Sequence, residues 1–377
     1  MNLALSEEQE MLRKMARDFL ANECPKKLVR EMEGDEKGYS PELWKKMAEL
    51  GWMGLVLPEE YGGGAGTFLD LAILLEEMGR ACLPGPFFST VVLGALTLVD
   101  AGSEEQKRKL LPQVAAGKAI LTLALTEPSA TWNAGGVTLK AVHEGDHYLL
   151  SGTKLFVPDA HVADRLIVVA RTGGGKKPEE GITLFLVDAR SPGIRFEVLK
   201  TIASDKQCEV AFDKVKVAAE DVVGKVGQGW EVVEKVLRRA AVAKCAEMVG
   251  GAQQVLEMTV QYAKDRVQFE RPIGSFQAIQ HHCANMVTDV DGARLIAYEA
   301  AWLVSEGLPC AKEVAMAKAW VSDAYRRVVV LGHQVHGGVG FTKDHDMELY
   351  YRRAKAGELA YGDGDHHREV VAAELGM

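Results

Sequence analysis

Residues 230–266, WEVVEKVLRRAAVAKCAEMVGGAQQVLEMTVQYAKDR, run without a proline. As a helix this segment would extend about 50 Å at 1.5 Å per residue, far beyond the usual three or four turns. Two further proline-free stretches follow, 275–304 and 310–335. Such long helices, joined by short connections, must pack as an antiparallel bundle. The chain from residue 226 to 377 is therefore expected to be a C-terminal bundle of the four-helix type.

The rest of the chain divides by texture. Ser6 followed by Glu7, Glu8 and Glu10 reads as an N-cap with acidic residues in the first turn, and Leu12, Met15, Ala16 and Phe19 continue at helical spacing. Further helical patterns cover 41–50, 67–80, 91–100 and 104–111, with the glycine-rich EYGGGAG at 60–66 as a loop. Residues 1–117 thus form an N-terminal helical domain. Between 118 and 225 the texture changes to short runs rich in Val, Ile, Thr and Leu, broken by Gly, Asp and Pro. HEGDHY (143–148) signals a hairpin turn, and RTGGGKKPEEG (171–181) a polar surface loop. The predicted architecture is α+β and multi-domain: helical domain, middle β-domain, helical bundle.

Bulk properties narrow the function. A net charge of −9 argues against nucleic acid as a ligand, while small phosphorylated molecules remain open through local basic groups or backbone N–H. The six cysteines, Cys24, Cys82, Cys208, Cys245, Cys283 and Cys310, contain no CxxC and read as thiols of a reducing compartment. The N-terminus lacks the apolar core of a signal peptide, and no apolar run approaches a membrane span. A cytoplasmic location is expected.

Four segments in order carry a resemblance: LTEPSA (125–130), YLLSGTKLFVPDAHVADRLIVVA (148–170), DRVQFERPIGSFQAIQH (265–281) and HQVHGGVGF (333–341). Together they resemble the acyl-CoA dehydrogenase family over essentially the whole chain. The resemblance implies FAD bound between β-domain and bundle and completed by a neighbouring subunit. It also implies an acyl-CoA substrate, a homo- or hetero-oligomer (dimer or tetramer), and an electron-transfer flavoprotein as acceptor. By the same resemblance Thr126 meets the isoalloxazine edge, and Phe156 stands where the family has a flanking Trp. Pro158 replaces a flavin-contacting Thr and has no N–H to give. Arg266 and Phe269 resemble the pair reaching the adjacent subunit's flavin, the Arg on its pyrophosphate, with Gln277 in the same segment. Gln334, Gly337 and Gly338 resemble a turn whose backbone approaches the pyrophosphate or adenosine. Each glycine taken alone reads rather as a plain turn or a helix C-cap.

In the family a carboxylate removes the α-proton while the β-hydride passes to flavin. Aligned without gaps, RAKAGELAYGDG puts Tyr361 on the usual glutamate, and a phenol with a reference pKa near 10 is a poor base. The alternative glutamate position falls on Ala240, and a neighbouring arginine position on Ala241. Arg238 and Arg239 lie close by, as substrate-side substitutes or as solvated charges. Trp132 replaces a ligand-touching serine. Asp363 is the weak replacement base. Asp363 or Asp365 otherwise caps a final helix starting near His366. Adjacent His366 and His367 diverge by about 100° on a helix, a poor metal pair without Asp344, His345 and Asp346, so no metal is expected. Ser89 and Thr90 lie in a wall segment of relatives but carry no carboxylate.

The expected function is an FAD-dependent oxidoreductase of the acyl-CoA dehydrogenase type with an atypical active site. The alternatives are a cofactor-completing, non-catalytic subunit of a hetero-oligomer, as the similar GDxDHH endings of some small subunits imply, or a non-redox acyl-CoA binder.

Overall fold

The computed structural model describes residues 5–377. Helices α1 (Glu7–Glu23), α2 (Lys26–Gly34), α3 (Pro41–Glu49), α4 (Phe68–Ala81), α5 (Leu96–Ala101) and α6 (Glu104–Ala115) precede strands β1 (Leu121–Ala124) to β8 (Val222–Val223). After them come α7 (Trp230–Asp265), the short strands β9 (Val267–Gln268) and β10 (Arg271–Pro272), α8 (Gln277–Ser305), α9 (Ala311–His336), α10 (Met347–Leu359) and α11 (Gly364–Glu374). The order helical, β, helical is the one the sequence predicts. Two compact units result. One comprises residues up to Arg30, Thr67–Leu83 and Ala241–Met377; the other comprises Glu31–Gly66 and Pro84–Ala240.

In the β-containing unit the sheet order is β6-β7-β3-β2-β4-β5-β8, where β2 is Lys140–Glu144, β3 His147–Pro158, β4 Arg165–Arg171, β5 Ile182–Asp188, β6 Ile194–Leu199 and β7 Gln207–Ala218. Strand β1 adds parallel to β4. β2 and β3 pair as the expected hairpin, with Glu144 opposite His147 across the turn. Along β3 and β7 the register slips between Lys154 and Val157, leaving Leu155 and Phe156 as a bulge. Bulges re-aim a side chain and are common beside functional sites. Two helical patterns differ from expectation. The 91–100 segment begins as a π-helical stretch, Phe88–Ala95, before α5; its Gly94 packs on Leu121 so closely that a Cβ would collide. Helix α6 continues past Pro112 to Ala115, because Leu111 and Val114 are both buried and the proline falls in its last turn.

In the other unit, small residues set helix spacing. Cβ atoms on Gly79 of α4 or Gly250 of α7 would overlap the backbone of the facing helix. Two buried carboxylates are fully partnered: Glu76 accepts from Tyr298 and Arg294, and Glu77 from Arg17. Ser6 caps α1 as predicted, in a capping box with Gln9.

Candidate functional site

The β-containing unit carries one group of predicted residues. Leu125–Pro128 leaves β1 as a turn, and the Leu155 N–H donates to the Thr126 carbonyl at 2.8 Å, tying the turn to the β3 bulge. On that bulge Phe156 has φ +52° and is 51% exposed. A bulky residue in the left-handed region is an outlier that signals function when the ring is also left uncovered. Thr126 is half-buried, and among the described residues its N–H and hydroxyl have no partner. An exposed aromatic face beside free N–H and O–H donors is the donor set a planar heteroaromatic ring requires, so these residues fit an isoalloxazine edge. Pro158 is occupied structurally, its carbonyl accepting from Thr122 at 2.6 Å. Trp132 is half-buried in the 128–137 loop.

Beneath that turn lies a pair the sequence reading did not single out. Glu127 is 3% and Lys154 0% exposed, with Nζ and Oε1 2.7 Å apart. Lys154 also donates to the Leu125 carbonyl at 2.9 Å. The Glu127 carboxylate accepts further from the Thr138 N–H, the Leu139 N–H and the Thr138 hydroxyl. Burial works to raise the Glu127 pKa, but Lys154 and these donors hold it below the ordinary range. The sequence signal was available: Lys154 occupies an inward position of an alternating strand, where an unpaired charge is not tolerated.

Ser89 and Thr90 serve packing in this unit. Ser89 donates to the Asp159 carboxylate at 2.6 Å, and Thr90 accepts from the Leu121 N–H. On α7 Ala240 is buried, Arg238 is exposed, and Arg239 is committed to Asp100.

The helical unit carries the other group. Phe269 and Glu270 both have positive φ, at +54° and +64°, forming a two-residue turn between β9 and β10 of the kind normally given to Asn-Gly. Phe269 stands 87% exposed at its tip, and the exposed Arg266 at its base has no side-chain partner among the described residues. Gln277 opens α8, also exposed. At the end of α9, Gln334, Gly337 and Gly338 are exposed; Gly337 has φ +64° and ψ −146°, a glycine-only conformation. A Cβ on either glycine would meet nothing within 4 Å, so the backbone is open to a ligand. The Gly337 N–H already donates to the His333 carbonyl, so the Arg266 guanidinium and the uncovered backbone at Gly338 are what offer chemistry for a diphosphate.

The 357–369 segment is held from three directions. Fully buried Lys318 of α9 donates to the carbonyls of Glu358 and Gly362, both at 2.9 Å, and to Ser322 at 3.2 Å. Buried His367 bonds the Tyr361 carbonyl through Nε2 at 2.9 Å. Since a carbonyl only accepts, that nitrogen carries the hydrogen and Nδ1 is a bare acceptor, without a partner among the described residues. Burial takes the His367 pKa down to about 4. Tyr361, at φ +57°, is half-buried. At Gly362, φ is +93° and a Cβ would collide with the His366 ring. Asp363 is the N-cap of α11, its carboxylate accepting from the His366 N–H at 2.9 Å, which lowers its pKa. The helix starts at Gly364, two residues earlier than expected. Asp346 and His345 are bound elsewhere: Asp346 pairs with Arg30, and His345 Nδ1 accepts from the Met347 N–H.

Three family descriptions match the chain: acyl-CoA dehydrogenase N-terminal domain over residues 6–118, middle domain over 122–215, and C-terminal domain over 227–376. A probable acyl-CoA dehydrogenase, YngJ, of Bacillus subtilis is 36% identical, with 100% of each chain covered. An acryloyl-CoA reductase (NADH) of Anaerotignum propionicum is 34% identical over 100% of this chain and 96% of that one. Among solved structures, the ChsE4-ChsE5 complex from Mycobacterium tuberculosis superposes with a TM-score of 0.91 at 31% identity, covering 100% of this chain and 99% of that one. Among the described residues no helix is long and apolar enough to cross a membrane. The chain belongs to the acyl-CoA dehydrogenase family, the FAD-dependent oxidoreductases that act on the CH–CH bond of acyl-CoA thioesters.

Proposed function

We propose that this chain completes the FAD site of a two-chain acyl-CoA dehydrogenase whose second member supplies the catalytic carboxylate. One observation carries the reading: Asp363, two residues after the Tyr361 that stands for the base by family resemblance, caps α11. A carboxylate that accepts the His366 N–H through Oδ1 and whose pKa is lowered makes a weaker proton acceptor. The similarity to a complex of two named chains, ChsE4-ChsE5, supports the same reading.

In this proposal Thr126 and Phe156 face the isoalloxazine. Arg266, Phe269, Gln334, Gly337 and Gly338 serve the diphosphate and adenosine side, with the β9–β10 hairpin reaching a neighbouring subunit. Trp132, Arg238 and Tyr361 lie on the acyl-CoA side. FAD, when bound, supplies the two-electron acceptor for the reaction. A cytoplasmic location, a dimeric or tetrameric assembly, and an electron-transfer flavoprotein partner belong to the same proposal. Domain boundaries near 117 and 225 are supported by the spans of the three family matches.

The test is anaerobic reduction of bound flavin by a panel of acyl-CoA thioesters, followed by absorbance. The chain alone is expected to stay yellow, and to bleach when co-purified with a family member retaining the glutamate. Bleaching of the chain alone would refute the proposal.

A second reading is favoured by the phenol itself together with the similarity to an acryloyl-CoA reductase. At neutral pH a tyrosine is a proton donor. In the reductive direction Tyr361 would hand its phenolic proton to the α-carbon of an enoyl-CoA as the β-carbon takes the hydride that reduced FAD would supply, and the phenolate left behind would be reprotonated from solvent. Reoxidation of the reduced chain alone by an enoyl-CoA, abolished in Tyr361→Phe, would select this reading.

A further inference from the structure

We propose that the buried Glu127–Lys154 pair is the positioning device of the flavin edge, fixing the turn that carries Thr126 and the loop that carries Trp132. This rests on the assignment of Thr126 and Phe156 to the isoalloxazine made above.

The geometry makes the pair a clamp. Glu127 follows Thr126, and its carboxylate reaches across the 128–137 loop to the N–H groups of Thr138 and Leu139 and the Thr138 hydroxyl. The two ends of that loop are thereby closed on one side chain. Lys154 draws the clamp to β3 through Glu127 and through the carbonyl of Leu125, the residue before Thr126. Lys154 is also the last residue in register before the bulge that aims Phe156 outward. The far side of the loop is held by Arg171, which donates to the Ala134 and Val137 carbonyls at 2.8 Å each. The loop interior is close-packed: a Cβ on Gly136 would strike the Thr131 hydroxyl. A loop so fixed cannot relax independently of Glu127.

The carboxylate is specifically required. Both of its oxygens accept, and an amide at this place would present N–H toward the donors of Thr138, Leu139 or Lys154. Without Glu127 the lysine would be a buried cation with one carbonyl partner, a state that favours rearrangement of the turn. Thr126 would then leave its place even though it is itself unchanged.

The experiment compares full-length holoprotein carrying Glu127→Gln, Lys154→Met, the double variant, Thr138→Val and Thr126→Val. Three readouts are taken: the dissociation constant of FAD by flavin-fluorescence quenching, the visible spectrum of bound flavin, and the denaturant midpoint. Glu127→Gln and Lys154→Met are each expected to weaken FAD binding at least tenfold and to shift the flavin spectrum in the direction Thr126→Val shifts it. Thr138→Val, which keeps both charges and should fold, is expected to give the same shift with a few-fold weaker binding. Lower midpoints with unchanged FAD affinity and spectrum would make the pair a stabiliser only and overturn the proposal. If Thr126→Val itself leaves spectrum and affinity unchanged, the flavin-edge assignment falls, and the proposal with it. A shift in Thr126→Val with none in the clamp variants overturns the clamp alone.

Discussion

Two buried lysines hold two turns of this molecule, and they do so with different chemistry. Among the described residues, Lys154 in the β-containing unit meets a carboxylate, while Lys318 in the helical unit meets only two carbonyls and a hydroxyl. Both are fully buried, and burial lowers both pKa values, that of Lys318 to about 8. Lys318 is held charged by geometry: the Glu358 carbonyl it binds belongs to the last turn of α10, where the helix dipole favours a cation. Lys154 is held charged by Glu127. A turn pinned by a neutral acceptor set depends on one side chain; a turn pinned by an ion pair depends on two, and is damaged most when only one is lost.

Removal of single partners tests that difference, and the largest effect is expected at the ion pair. Lys154→Met strips Glu127 of its counter-charge and should cost about 3–5 kcal/mol in chemical unfolding. The double variant Glu127→Gln/Lys154→Met should recover part of that loss, because no lone charge is left behind. A double variant as unstable as the sum of the single ones would mean the two residues do not act as a pair.

The turn around Tyr361 provides a pH-dependent contrast. The His367 pKa is about 4 in the fold against 6.5 in the unfolded chain, so between these values the unfolded state binds more protons. Its contribution is therefore complete above about pH 6.5 and is lost as pH falls toward 4, an amount of about 3 kcal/mol at 1.36 kcal/mol per pKa unit. In His367→Gln the pH dependence of stability between 6.5 and 4 should flatten by that amount. An unchanged acid limb would show that the ring is not buried neutral in solution.

Lys318→Met comes next, at about 2 kcal/mol, since it orphans carbonyls but leaves no buried charge. A cost equal to that of Lys154→Met would break the comparison, because the counter-charge would then not be what separates the two turns. The same variant has a pH signature of opposite placement. With a folded pKa near 8 below the unfolded 10.5, Lys318 makes stability rise with pH between those values, and Lys318→Met should remove that rise.

Much of the architecture was legible because periodicity and end signals agree. Ser6 with its acidic first turn, the β2–β3 turn and the long helices all lie where local residues put them. The pinning residues were harder to see. Glu127 sits inside a recognised motif, yet its role depends on Thr138 and Leu139, eleven and twelve residues on, and on Lys154 in another strand. Lys318 reads as one more charge on a long helix until Ser322, Tyr325 and Val321 show that its face is buried. The π-helical turn at 88–95 has no periodic signature distinct from an α-helix over so few residues. Positive φ at Phe156 and Phe269 is likewise invisible, since local preference argues against it and only the surrounding ladder imposes it.

The smallest expected effect separates a cap from a base. Asp363→Asn keeps an acceptor for the His366 N–H and should change stability by only a few tenths of a kcal/mol, whereas Asp363→Ala should cost about 1 kcal/mol. If Asp363 instead moved a proton, Asp363→Asn would abolish any flavin reduction the assembled enzyme performs, with stability untouched. The cap geometry predicts the reverse: activity of the assembly retained in Asp363→Asn, and stability the property that responds in Asp363→Ala. Because the Gly362 carbonyl is held by Lys318 of α9, outside α11, fraying of α11 should spread to the turn only weakly. Hydrogen exchange in Asp363→Ala should accordingly speed up at His366 and His367 while Ala360 N–H, bonded to Ala356, keeps its protection.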